Sequence, residues 1–188
     1  LELYAPRHLL DCGVHSFDQA LSFNEESPAV WALGAVDGSA PLDWFGVKGD
    51  TMTAGLVAFA NGVQATVQVG IPDQEMVTGL RLHGEDGLME VSWEGVIQRA
   101  VSFREPGWRP PATAEAKDET FVAMLADILD CCLSGEEPAI SHRKALRATE
   151  ICFALYESAR RRARVTLPLG IRDNPFISVL EAGGFAAG

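Results

Sequence analysis

With 188 residues and a formal net charge of −11, the chain can bury one substantial core or two small ones, and it is too acidic to suit a nucleic-acid or anionic-membrane partner. A content of 47% hydrophobic and 22% charged residues excludes a disordered chain. No apolar run is long enough to span a bilayer, and the opening residues do not read as a basic-then-apolar signal peptide.

From Arg7 onward, HLLDCGVHSFDQALSF places Leu10, Val14, Phe17 and Leu21 at steps of three and four, which predicts a helix. Gly13 weakens that helix, so something should pack closely against it. Ser27-Pro28 ends the segment, and AVWALGAV reads as a strand. TMTAGLVAFA and VQATVQVGI flank Asn61-Gly62, a strong hairpin signal. In the second of these strands Val63, Ala65, Val67 and Val69 alternate with Gln64, Thr66 and Gln68, predicting one apolar and one polar face. MVTGLRLHG, a turn at Glu85-Asp86-Gly87, LMEVSW, a turn at Glu94-Gly95 and VIQRAVSF extend the series. Such short spacing predicts antiparallel neighbours in a meander of about six strands.

REPGWRPPATAEAKD reads as a surface loop. The next helix, within DETFVAMLADILDCCLSG, has Asp118 as its N-cap and Gly135 as its stop. Its spacing predicts a buried face of Phe121, Met124, Leu125, Ile128, Leu129 and Cys132. Ser141 caps a second long helix, SHRKALRATEICFALYESARRR, with an apolar stripe at Leu146, Ile151, Phe153, Ala154 and Leu155. VTLPL then closes as a short extended segment, leading into an extended tail. Strands grouped together with helices at the ends predict an α+β fold, a mostly antiparallel, open-faced sheet with helices packed on one face. Residues 1–188 are expected to form a single domain, with 170–188 as its C-terminal extension.

Asp11 and His15 are four apart, so on a helix they share a face. A carboxylate beside an imidazole orients the ring and selects its tautomer, as a general acid or base near neutral pH requires. By spacing alone, an ion pair on a helix surface is the plainer reading. A metal reading would bring His8, Asp11 or Cys12, and His15 onto one ion, but no second Cys/His cluster supports it, so no metal is expected.

The four cysteines, Cys12, Cys131, Cys132 and Cys152, show no zinc-type pairing and are expected to be reduced thiols in a cytoplasmic protein. ARRRAR at Ala159 to Arg164 reads as a solvated helix end, His83 as polar-face surface and His142 as first-turn surface. Trp31, Trp44, Trp93 and Trp108 are dispersed, as core or interface anchors are. Neither a Gly-x-Gly-x-x-Gly turn after a strand nor a P-loop occurs.

Taken in order, DCGVHSFD, FANGVQATVQVGI, LRLHGEDGLMEV and LSGEEPAISHRKALRATEICFALYESARRRARVTLPL resemble the C-terminal domain of the Gfo/Idh/MocA family of NAD(P)-dependent oxidoreductases, which act mainly on sugars, inositols and related polyols. The resemblance covers about Leu9 to Leu169. It implies that Asp11 and His15 are the substrate-binding and proton-transfer pair, with Asp18 a supporting substrate-side carboxylate. It further implies a sugar or polyol substrate and a homo-oligomer built through the free sheet face. NAD or NADP would be bound mainly by an N-terminal domain absent from this chain, with no cofactor expected for the chain alone. The chain opens at Leu1 without an initiator methionine, as a fragment would, and is expected to be inactive in isolation. Two other roles stay open: a non-catalytic binding or assembly domain, and an NAD-assisted glycoside hydrolase domain.

Overall fold

The first helical stretch is not α-helical throughout. Leu9–Gly13 forms one π turn, closed by the Val14 N–H donating to the Leu9 carbonyl, and α1 (Val14–Phe23) continues from it. The structure, a computed structural model, describes residues 3–4, 8–24, 27–37, 43–44, 47–70, 79–92, 96–110 and 120–182. Counting from the start, the strands are β1 (Leu3–Tyr4), β2 (Ala29–Asp37), β3 (Asp43–Trp44), β4 (Val47–Lys48), β5 (Met52–Phe59) and β6 (Gln64–Gly70). They continue with β7 (Gly79–Gly84), β8 (Gly87–Ser92) and β9 (Ile97–Ser102). After these come α2 (Thr120–Ser134), α3 (His142–Arg161), β10 (Val165–Thr166) and α4 (Pro175–Glu181). Asp118, Trp93, Glu94 and Gly95 lie outside the described residues.

The protein is α+β, and the described strands form three sheets rather than one meander, with orders β1-β4-β3, β10-β2-β5-β6 and β7-β8-β9. All pairings are antiparallel except β1 with β4. The chain divides into two compact units, Leu1–Gln74 with His142–Gly188, and Glu75–Ser141.

In the larger unit the β5–β6 hairpin turns at Asn61-Gly62, where Gly62 takes φ +90° and Asn61 Oδ1 accepts from the Val63 N–H at 3.2 Å. Alternation along β6 sends Val69 into the core and leaves Gln64, Thr66 and Gln68 exposed, whereas Val63 sits in the turn and is exposed. One face of the four-stranded sheet is covered by α3. Gly34 and Gly55 lie opposite each other on β2 and β5, and Leu155 of α3 occupies the space above them. A Cβ built on Gly34 would come within 2.8 Å of Leu155 Cδ2 and 3.3 Å of Leu155 Cα, so the glycine permits a close helix-to-sheet approach. Ser158 Oγ accepts from the Gly34 N–H at 2.9 Å and donates to the Ala163 carbonyl at 2.7 Å, joining β2 to the end of α3.

Burial of α3 runs through Ile151, Cys152 and Ala154 to Ser158, nearly all round the helix. Leu146, expected in the apolar stripe, is instead 67% exposed, because it lies ahead of the covered part of the helix. The C-terminal stretch is helical as well as extended. Asn174 caps α4 by accepting from the Phe176 and Ile177 N–H groups at 3.1 and 3.3 Å, with Pro175 in the first turn. Phe176 is buried against Tyr156, with ring centroids 5.0 Å apart. Arg160 and Ser178 both donate to Asp173, which ties α4 to the end of α3.

In the smaller unit, Arg81, Glu90 and Arg99 stand side by side across β7, β8 and β9. Glu90 pairs with Arg81 at 2.9 Å and with Arg99 at 3.7 Å, and His83, on the same face as Arg81, is exposed, as expected. Gly135, at φ +78°, ends α2 as expected, its N–H donating to the Cys131 carbonyl at 2.8 Å. The buried face expected for α2 is not seen among the described residues: Met124 and Ile128 are half-buried, and Phe121, Leu125, Leu129 and Cys132 are exposed.

Gly34→Ala should destabilise the protein by about 1–3 kcal/mol through overpacking against Leu155, although alanine normally suits a strand better than glycine. A raised melting temperature by circular dichroism would contradict the close approach. The hydrogen bond from Arg160 and that from Ser178 hold the Asp173 carboxyl down at about 2. A folded value below the ordinary carboxylate range of about 3.9 means the contribution is present above about pH 4 and is lost as pH falls toward 2. Amide protection of Phe176 and Ile177 should fall in that window, and Asp173→Asn should abolish the fall; an unchanged profile in that variant would refute the link.

Candidate functional site

The π turn and α1 separate two kinds of residue. Leu9 and Gly13 face inward and are buried, whereas Asp11, Cys12 and His15 are exposed. Asp18, one turn beyond His15, is half-buried. Asp11, His15 and Asp18 therefore share one short helical segment, with the first two on its solvent side. A π turn carries one extra residue per hydrogen-bonded ring and shifts the side chains before it relative to those after it. Here it separates the Asp11 position from the α-helical turn carrying His15.

The inward side of the turn is held from several elements. Asp50, fully buried in the loop before β5, accepts from the Leu9 N–H at 3.0 Å through Oδ2 and from the Tyr156 O–H at 2.9 Å through Oδ1. The Cys152 thiol on α3 donates to the Leu9 carbonyl at 3.5 Å. Burial pushes that thiol up to about 12, so it stays a neutral donor. Gly13 lies against Leu9 and β6: a Cβ there would be 2.8 Å from Leu9 Cδ1 and 3.1 Å from Val69 Cγ2. The close packing expected at Gly13 is thus present.

The alternative cluster of His8, Asp11 or Cys12, and His15 is not assembled. His8 is buried while Asp11, Cys12 and His15 are exposed. Among the described residues no group of three His, Cys, Asp or Glu side chains is placed to hold a metal. None of the described helices is long and apolar enough to cross a membrane. The described cysteines are free thiols.

ARRRAR is more than a solvated helix end. Glu157, 1% exposed, pairs with both Arg160 and Arg161, and Arg160 also pairs with Asp173. Arg164 stacks over Trp31 at 5.4 Å from the ring centroid. The residues that sequence reasoning missed are Asp50, Tyr156 and Glu157. Asp50 sits in KGDT between strands, where no periodicity singles out a residue, and the other two follow directly on the apolar stripe that ends at Leu155.

No protein-family model and no curated protein matches the sequence. Solved structures do resemble it in fold. An NAD-binding oxidoreductase from Klebsiella pneumoniae is 14% identical with a TM-score of 0.70, over 89% of this chain and 52% of that one. An aldose-aldose oxidoreductase from Caulobacter crescentus, complexed with glycerol, is 21% identical with a TM-score of 0.64, over 86% and 48%. The WlbA dehydrogenase from Bordetella pertussis, in complex with NADH and UDP-GlcNAcA, is 17% identical with a TM-score of 0.63, over 86% and 48%. The chain spans about half the length of each of these proteins.

An alkylating reagent at about pH 8 should label Cys12 in the native protein and leave Cys152 untouched until unfolding, as read by peptide mass spectrometry. Labelling of Cys152 in the folded state would contradict its burial.

Proposed function

We propose that this chain, which has the fold of the C-terminal domain of Gfo/Idh/MocA-type oxidoreductases, is the substrate-binding and oligomerisation domain of an NAD(P)-dependent enzyme acting on a sugar, inositol or related polyol. The observation that carries the reading is the exposure of Asp11 and His15 on a helix whose opposite side is fixed into the core. In a substrate complex the exposed His15 ring accepts the proton of the reacting hydroxyl. Asp11 orients His15 and accepts a hydrogen bond from a substrate hydroxyl, and Asp18 supports the pair from one turn further on.

The sequence holds no glycine-rich strand-to-helix turn suited to a dinucleotide, so its binding is assigned to a domain outside this chain. There the nicotinamide supplies the hydride acceptor. This chain's share is the proton and the substrate hydroxyls.

Oligomerisation is assigned to the outer face of the four-stranded sheet. Leu33 and Leu56 lie opposite each other there, as do Ala35 and Ala54, and Leu33 is 44% exposed. The same exposed face supports a second reading, a non-catalytic assembly domain, in which association occurs without turnover. Light scattering should show at least a dimer at micromolar concentration, and a strict monomer would remove the oligomerisation role.

In the protein that joins this chain to its dinucleotide-binding half, His15→Ala should lower turnover by about 10²- to 10⁴-fold while leaving dinucleotide affinity unchanged. Wild-type turnover in that variant would refute the catalytic reading and leave the assembly reading standing.

A further inference from the structure

We propose that Asp50 is a positioning residue for this site, holding through the Leu9 amide the π turn that presents Asp11 and His15. The proposal rests on the reading of Asp11 and His15 as the substrate-facing pair. Asp50 touches neither residue in the contacts described above. It acts through the backbone two residues ahead of Asp11.

Leu9 is gripped at both its polar groups. Its N–H meets Asp50 Oδ2 at 3.0 Å. Its carbonyl receives the Val14 N–H that defines the π turn, and the Cys152 thiol at 3.5 Å. Asp50 is itself fixed from two directions. Tyr156 holds its other oxygen at 2.9 Å, and the Tyr156 ring is set between Phe153 and Phe176. On the chain side, the next residue, Thr51, donates to the Asp37 carbonyl from both its N–H at 2.9 Å and its hydroxyl at 3.0 Å.

A fully buried carboxylate is costly to desolvate, and an apolar side chain would pack the same space without that cost. What the carboxylate adds is direction: two oxygens set the Leu9 amide and the Tyr156 hydroxyl relative to one another. The side facing Gly13 has no slack either, since a Cβ there would meet Leu9 Cδ1 at 2.8 Å. The π turn is thereby boxed, and rotation of it would move Asp11 first and His15 next. A misplacement of about 1 Å at a reacting group costs about 10²-fold in rate.

The test uses the full-length enzyme below the melting temperature of each variant. Asp50→Ala should lower kcat by about 10- to 100-fold with KM for the dinucleotide unchanged, and should speed amide exchange across residues 9–14. Asp50→Asn, which keeps an acceptor oxygen for Leu9, should recover most of both. Tyr156→Phe removes a bond to the same carboxylate but leaves the Leu9 acceptor in place, so its losses in kcat and in the exchange protection of residues 9–14 should be smaller than those of Asp50→Ala. Wild-type kcat in folded Asp50→Ala overturns the proposal, and so does an equal loss of kcat in Tyr156→Phe and Asp50→Ala. Should Asp50→Ala fail to fold, Asp50→Leu, which fills the space and has no acceptor for the Leu9 amide, is compared with Tyr156→Phe directly. A several-fold lower kcat and faster exchange in Asp50→Leu than in Tyr156→Phe support the role, and indistinguishable values overturn it. His15→Ala, measured alongside, separates the two ideas. Full turnover there removes the site itself, whereas an inactive His15→Ala beside a fully active Asp50→Ala removes only the positioning role.

Discussion

The larger unit depends on how closely α3 lies on its sheet. Gly34 and Gly55 leave a gap across β2 and β5, and Leu155 drops into it. Residues within one turn of Leu155 are thereby delivered to three different elements. Cys152 reaches the Leu9 carbonyl, Tyr156 reaches Asp50, and Ser158 reaches the Gly34 amide. Interiors are packed as densely as organic crystals, so a helix set at this depth fixes the groups that hang from it. The candidate site is fixed at second hand, from α3 through Asp50 and Leu9 to the turn that bears Asp11.

Two buried carboxylates carry the polar side of this arrangement. Asp50 accepts from a backbone amide and a phenol, and Glu157 is ion-paired with Arg160 and Arg161. Glu157 is buried while both its arginines reach solvent, so its charge is offset at the end of the helix. The Glu157 cluster therefore clasps the end of α3, and Arg160 extends the clasp to Asp173 and α4. Phe176 can then close over Tyr156, so the C-terminal helix supports the same tyrosine that holds Asp50. Acidic and basic residues that look like surface in the sequence are here part of the support for the site.

Hydrophobic periodicity proved a sound guide to which residues share a face and a poor one to whether anything covers it. The spacing in VQATVQV was obeyed, because the hairpin forces alternate residues to opposite faces and α3 and α1 supply a core on one of them. In α2 an equally clear stripe stays exposed, and Leu146 at the start of α3 does too. A stripe is a property of one segment, whereas burial needs a partner from elsewhere in the chain. The α4 helix is the reverse case: Asn174-Pro175 is a local start signal, but the segment after it is too short for periodicity to stand out.

By itself the sequence determined the types of the longer strands and helices and the antiparallel hairpin of β5 and β6, because turn residues and alternation act over a few positions. It also placed Asp11, His15 and Asp18 on one helical segment, since helical spacing is local. Only the tertiary structure decided that this segment contains a π turn, that Leu9 and Gly13 face the core, and that Asp11 and His15 face out. The same is true of Asp50, 41 residues from Leu9 and 106 from Tyr156 along the chain. Its hydrogen bonds join groups that meet only when the sheet and α3 close together, and no local pattern encodes that meeting.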